Sequence, residues 1–232
     1  MYLFALKISN MEQSFNVTDL NRVKRAPNRG SYDKQKVFTI LDTHFLCHVG
    51  YVWRGQAVII PTAYGRIEET VYLHGALKNR MLTSLVEAGQ GSLTVTHTDG
   101  LVMARSIFHH SMNYRSVAVF GATRIVNEGQ EKYNAVRAIS DNVFQGRWDE
   151  VRQPNEAEMK ATLVVAIDIE HASAKERTGH PSDDSADYDL NVWAGVIPFQ
   201  VTMLPPVEDA QLAKGIHPSP IIINGIEAFN EE

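Results

Sequence analysis

Two pairs of short β-type runs, each broken by a two-residue turn signal, set the limits on what this chain can fold into. FLCHVGYVW and QAVIIPTAYG are separated by Arg54-Gly55, and GSLTVTHT and LVMARSIF flank Asp99-Gly100. Two-residue turns ending in Gly join antiparallel neighbours, because their left-handed backbone matches the twist of a hairpin. Further β runs cover residues 70–74, RSVAVFGATRIV, TLVVAIDIEHA after a short acidic helical turn at Glu156 to Lys160, and NVWAGVIPFQV. Helical spacing is confined to three places. Ser31 is the expected N-cap of a short helix with Val37, Phe38, Ile40 and Leu41 on its apolar face. A second helix opens at Leu77 to Arg80 and continues through Met81, Leu82, Leu85 and Val86. EKYNAVRAISDNVF is the third, with Tyr133, Val136, Ile139 and Val143 in phase. This inventory predicts a mainly β, antiparallel fold, most simply a barrel. The helices are too few for a doubly wound α/β sheet, and no GxGxxG follows the first strand. No repeat, low-complexity tract or linker divides the 232 residues. A single domain over 1–232 is expected, with its core at about 23–205 and a peripheral N-terminal arm and Pro-rich tail.

The balance of charge narrows the partners. A net charge of −5 argues against a nucleic-acid protein, since a phosphate backbone selects basic surfaces. The basic segment RVKRAPNRG reads as a solvated arm within an acidic whole. No apolar run approaches bilayer length, and MYLFALKISNMEQSF lacks the basic start, long apolar core and cleavage site of a secretory leader. The one cysteine, Cys47, lies in the apolar run FLCHVGYV and reads as a buried, inert thiol. The expected location is cytoplasmic.

Candidate chemistry begins with VYLHGALKNRML. Here an apolar strand runs through His74-Gly75-Ala76 into a helix start carrying Asn79 and Arg80. Small residues admit a ligand to the backbone, the first helical N–H groups point outward, and Arg offers a cationic fork, which together suit a phosphate. Four other segments join it. IIPTAYGR breaks a strand at Pro61-Thr62, Arg115 and Ser116 stand at the start of a buried strand, ASAKERTG is small and basic, and Trp193 lies in VWAGVIPF. Donors for a phosphate, small residues and an aromatic for a planar ring form the inventory of a mononucleotide site. Metal readings are weaker. In a strand, His44 and His48 would stand roughly 13 Å apart. His109 and His110 would face opposite ways, and Asp183, Asp184, Asp187 and Asp189 lack Ca²⁺-loop spacing and read as a solvated loop.

These segments resemble the FMN-binding split-barrel superfamily and, within it, the flavin-nucleotide-binding branch of pyridoxamine 5′-phosphate oxidase-like proteins. The resemblance runs from about Val23 to Phe199 and is carried by VKRAPNRGSYD, CHVGYV, IIPTAYGR, YLHGALKNRML, GLVMARSIFHHSMNYRSVAVFG, ASAKERTG and DYDLNVWAGVIP. It implies a six-stranded antiparallel Greek-key barrel and a homodimer with FMN at the subunit interface. By resemblance, Ile60, Pro61, Thr62, Ala63 and Tyr64 border the flavin edge, and His74, Gly75 and Ala76 lie along the ring and ribityl chain. Asn79 and Arg80 bind the phosphate, Arg115 and Ser116 add a second cation and hydroxyl, and Trp193 comes from the partner. Asn79 stands where the branch has Ser, and Gly75-Ala76 replaces Gly-Ser. The residues that grip pyridoxal phosphate have no counterpart here, so that substrate is not carried over. The implied function is an FMN-dependent oxidoreductase of a small organic substrate; the alternative is a non-catalytic flavin or haem protein serving as sensor or store. FAD is expected to bind poorly, for want of a second anion site.

Overall fold

A computed structural model describes residues 13–231. The start of the chain, where no leader was expected, lies outside the described residues. In order, the elements are β1 (Gly30–Ser31), α1 (Lys34–Asp42), β2 (Leu46–Trp53), β3 (Gln56–Ala63), β4 (Gly65–Ile67), β5 (Thr70–Ala76), α2 (Arg80–Ala88), β6 (Gln90–Met103), β7 (Ser111–Ile125), α3 (Gln130–Val143), α4 (Glu156–Ala161), β8 (Thr162–Asp168), β9 (His171–Arg177), β10 (Gly195–Pro198) and α5 (Pro220–Glu231). The fold is mainly β, and its pairings are antiparallel. The sheet runs β3-β2-β6-β7-β8-β5-β4, with β9 on β7, β1 on β9 and β10 on β6. Its two end strands, β3 and β4, are joined by Tyr64 alone, so the sheet curls until its edges meet at that residue. The edges do not pair, and the barrel stays split. Tyr64 fixes the corner: its ring is fully buried and its hydroxyl donates to the Leu41 carbonyl.

Strand β7 forks the sheet. Its first part, Tyr114 to Phe120, pairs with β9, and its end, Thr123 to Ile125, pairs with β8. The Ile169-Glu170 turn between those strands crosses over Gly121, where Glu170 N–H donates to the Phe120 carbonyl. The barrel interior is filled by Val37 and Leu41 from α1, Val49 from β2, Leu82 and Leu85 from α2, Val95 from β6 and Val117 from β7. A smaller core lies outside, where Tyr72, Val164 and Ala166 meet Ala135 and Ile139 of α3. Strands β5 and β8 are therefore covered on both faces, which is why VYL and LVVAI read as unbroken apolar runs.

Several expectations hold and several change. Arg54-Gly55 does close a hairpin, with positive φ at both residues (50° and 76°), as a two-residue turn demands. Asp99-Gly100 does not. Strand β6 runs through it as a bulge, with the register shifting between Thr98 and Gly100. The Asp99 carboxylate is taken by Arg115, and residues beyond it pair with β10. The turn falls instead at residues 104–110. The α1 N-cap is Asp33, whose carboxylate accepts from Lys36 N–H at 2.8 Å, while Ser31 belongs to β1. TLVVAIDIEHA divides into β8 and the start of β9, NVWAGVIPFQV is a strand only over Gly195–Pro198, and the tail ends in the unforeseen helix α5. Among the described residues, no helix is long and apolar enough to cross a membrane.

Candidate functional site

Asn79 organises the site. It is the N-cap of α2, with Oδ1 accepting from Leu82 N–H at 3.1 Å, while its Nδ2 lies over Gly75. The first helical hydrogen bond is Thr83 N–H to Asn79 O, so the amides of Arg80 and Met81 have no partner among the described residues. Both point out of the positive end of a nine-residue helix. Arg80 is exposed beside them, its Nε donating to the Tyr51 hydroxyl at 3.1 Å and its guanidinium lying over the Trp53 ring. The β5–α2 turn and the β2–β3 hairpin thus meet at one corner, and that corner can hold an anion.

From there the open edge of β3 leads away. Val58 pairs with Tyr51, and Thr62 lies four residues on, roughly 13 Å along the strand. Ile60, Pro61, Thr62 and Ala63 are exposed or half-exposed on this edge, whereas Tyr64 is a core residue. His74 stands exposed on β5 beside the small residues Gly75 and Ala76. Crowding around its ring lowers its pKa by desolvation, so it is neutral at pH 7.

The other sequence-predicted residues lie elsewhere in the protomer. Arg115 forms a two-pronged ion pair with Asp99, and the Ser116 hydroxyl donates to the Lys175 carbonyl. On β6, Ser92 is level with Gly50 and His97 with Arg115, a separation of five residues, roughly 17 Å. Trp193 is farther still, since neighbouring Gly195 pairs with Met103, eleven residues beyond Ser92 and roughly 36 Å along the strand. Trp193 is 67% exposed, which removes it from the core of a single chain. The residues that sequence reading missed are Tyr51, Trp53 and Arg54. The only local signal was an aromatic beside a basic residue at a hairpin turn.

The histidine and acidic clusters also resolve. His44 packs on His97 with ring centroids 4.9 Å apart, rather than pairing with His48. Asp183 is not solvated: its carboxylate accepts from the Arg105 and Ser106 amides and pairs with Arg105. His109 comes together with Asp184 and Asp187, their ligand atoms within 4.8 Å of one another, where the acidic loop meets the β6–β7 connection. Burial pushes the Cys47 thiol up to about 12, in keeping with an inert residue.

The His44–His97 pair gives a pH prediction. Burial first, then the neighbouring imidazoles, lower the His44 pKa; burial chiefly lowers that of His97. The unfolded chain therefore binds these protons at higher pH than the folded one. Stability is complete above the unfolded value of 6.5 and is lost as pH falls through it toward the folded pKa. Tm measured across that window should fall less steeply in His97→Gln than in wild type. Parallel pH profiles would refute the assignment.

The family model for pyridoxamine 5′-phosphate oxidase matches residues 33–176. The chain belongs to the pyridoxamine 5′-phosphate oxidase family. Two solved structures share its fold over most of both chains. The flavocytochrome Anf3 from Azotobacter vinelandii is 35% identical, with a TM-score of 0.84 over 90% of this chain and 97% of that one. The FAD- and haem-binding protein from Mycobacterium smegmatis is 30% identical, with a TM-score of 0.81 over 85% and 97%. A putative 5-nitroimidazole antibiotic resistance protein from Bacteroides thetaiotaomicron, at 18% identity and TM-score 0.54 over 63% and 85%, shares the fold alone. A comparison with curated proteins returned no match. For this member of the pyridoxamine 5′-phosphate oxidase family, the matched span takes in both the β2–β3 hairpin and the β5–α2 turn.

Proposed function

We propose that this chain binds a phosphorylated flavin along the β3 edge, with the phosphate at the start of α2, and serves as a cytoplasmic oxidoreductase. The observation that carries this reading is the pair of unpartnered amides at Arg80 and Met81 beside the exposed Arg80 guanidinium. They fit a phosphate, and the 13 Å or so of open strand beyond suits a ribityl chain and ring. The sequence points to FMN; the Mycobacterium smegmatis relative is named for FAD. Bound flavin supplies hydride and electron transfer. The chain's own part is to fix the phosphate through the α2 amides and Arg80, border the ring with Pro61 to Ala63, and offer neutral His74.

The separation of Trp193 from the α2 start and from the Pro61–Ala63 edge supports a homodimer. If Trp193 serves the flavin, a second copy must bring it. Light scattering should report a dimer with and without flavin. Trp193→Ala should leave the dimer intact and weaken flavin binding modestly, whereas flavin affinity equal to wild type would remove Trp193 from the site. Riboflavin should bind more weakly than FMN, and equal affinities would remove the phosphate anchor. Bleaching of bound flavin by NADPH or NADH with recovery in air tests for turnover, and failure to bleach favours a binding protein. The relatives named as a flavocytochrome and as an FAD- and haem-binding protein favour a second reading, in which haem accompanies the flavin; a Soret band in reconstituted protein would carry it.

A further inference from the structure

From Leu190 to Val207 the chain has no Asp, Glu, Lys or Arg, although these residues make up 21% of the sequence. None of that segment is buried. Ile197, Phe199, Val201, Leu204 and Val207 are 45–95% exposed. A stretch facing water normally carries charge; one that is apolar and stripped of charge has the composition of an interface centre. Nor is it a loose end. β10 holds its middle to β6, and Phe199 N–H donates to the Asp99 carbonyl. The Asn230 side chain of α5 clasps Met203, accepting from its N–H at 2.8 Å and donating to its carbonyl at 3.0 Å. The exposed apolar side chains of this ordered segment present on the order of 600 Å², approaching the roughly 800 Å² that each partner buries in a stable interface.

We infer that residues 190–207 form a strap laid against a second copy of this chain. The inference rests on the homodimer reading above and gives that dimer its contact. Charge selects the occupant. Asp189 stands directly before the strap, and Glu208 and Asp209 directly after it. Acidic shoulders of this kind are repelled by an anionic lipid surface. Their complement lies in the chain's own N-terminal arm. Lys24, Arg25 and Arg29 are exposed there with no carboxylate within ion-pair distance among the described residues, whereas Arg22 has Asp19 at 3.9 Å. In a twofold dimer each arm meets the acidic shoulders of the other copy's strap. The same strap carries Trp193 toward the partner's flavin edge, and the apolar residues that follow it provide the grip.

The test is the oligomeric state of the full-length protein, read by light scattering across micromolar concentrations. Wild type should be a dimer. Combining Val201→Glu, Leu204→Glu and Val207→Glu places three charges at exposed positions, so the urea midpoint should hold while the dimer dissociation constant rises roughly a hundredfold or more. Lys24→Glu with Arg25→Glu should weaken the dimer about tenfold, and adding Glu208→Lys with Asp209→Lys should restore most of that loss. Cys47 is buried, so Val207→Cys introduces an accessible thiol against a silent background. In the dimer, maleimide should label it roughly tenfold more slowly than it labels glutathione, because the partner covers it. A dimer that survives the triple variant, or labels at the full rate, would overturn the strap and leave the homodimer standing. Failure of the charge swap to rescue would overturn the pairing of arm and shoulders. A monomeric wild type would overturn strap and homodimer together, and its capture by neutral-lipid vesicles would show the segment to be a membrane contact instead.

Discussion

Gly121→Ala is expected to be among the most destabilising single substitutions in the chain. A Cβ at this position would overlap the carbonyl oxygen of Asp168 and lie 2.8 Å from its carbonyl carbon. The obstruction is backbone, so no rotamer change relieves it. It sits where β7 releases β9 and takes up β8, and relief would pull the Ile169-Glu170 turn off Phe120. Overpacking of a filled core costs about 1–3 kcal/mol, and a backbone obstruction belongs at or above the top of that range. Against a total stability of about 5–15 kcal/mol, the loss should appear as a large drop in urea midpoint or as failure to accumulate folded protein. A midpoint equal to wild type would mean the turn has room to move.

Arg80→Ala should have the largest effect on the cofactor. The substitution removes a charge-assisted contact worth about 1.5–3 kcal/mol, or roughly tenfold to a hundredfold in flavin affinity. Folding should change little, because Arg80 is exposed and Asn79 keeps the helix cap. FMN and FAD should both weaken, and riboflavin should be nearly indifferent. Wild-type affinity for FMN in this variant would move the phosphate anchor elsewhere.

What the sequence discloses depends on how local the cause is. Arg54-Gly55 is legible as a hairpin because the turn is decided by its own backbone. Asp99-Gly100 carries as strong a signal and is misread, because the deciding partners are Arg115 across the sheet and β10 nearly a hundred residues on. Helix α5 is missed because PIIING combines β-branched residues with Asn and Gly, all poor helix formers, and its hold on the fold comes through contacts such as Gly225 with Phe144. The α2 start is legible for the opposite reason: strand, small residues, cap and Arg are contiguous. Trp53 and Arg54 reach the same corner only through the curl of the sheet, and no linear pattern announces that.

The open edge of β3 has a bearing on how safely this protein is made. Val58, Ile59 and Ile60 form a short β-branched run on an edge strand, with Ile59 68% exposed. Such a segment is a template for intermolecular strand addition and fibrillar association. Pro61 follows immediately and withholds a backbone donor, so a foreign strand cannot zip along the full edge. The proline that borders the proposed flavin thus doubles as a gatekeeper against aggregation, and chains awaiting cofactor are the ones that depend on it.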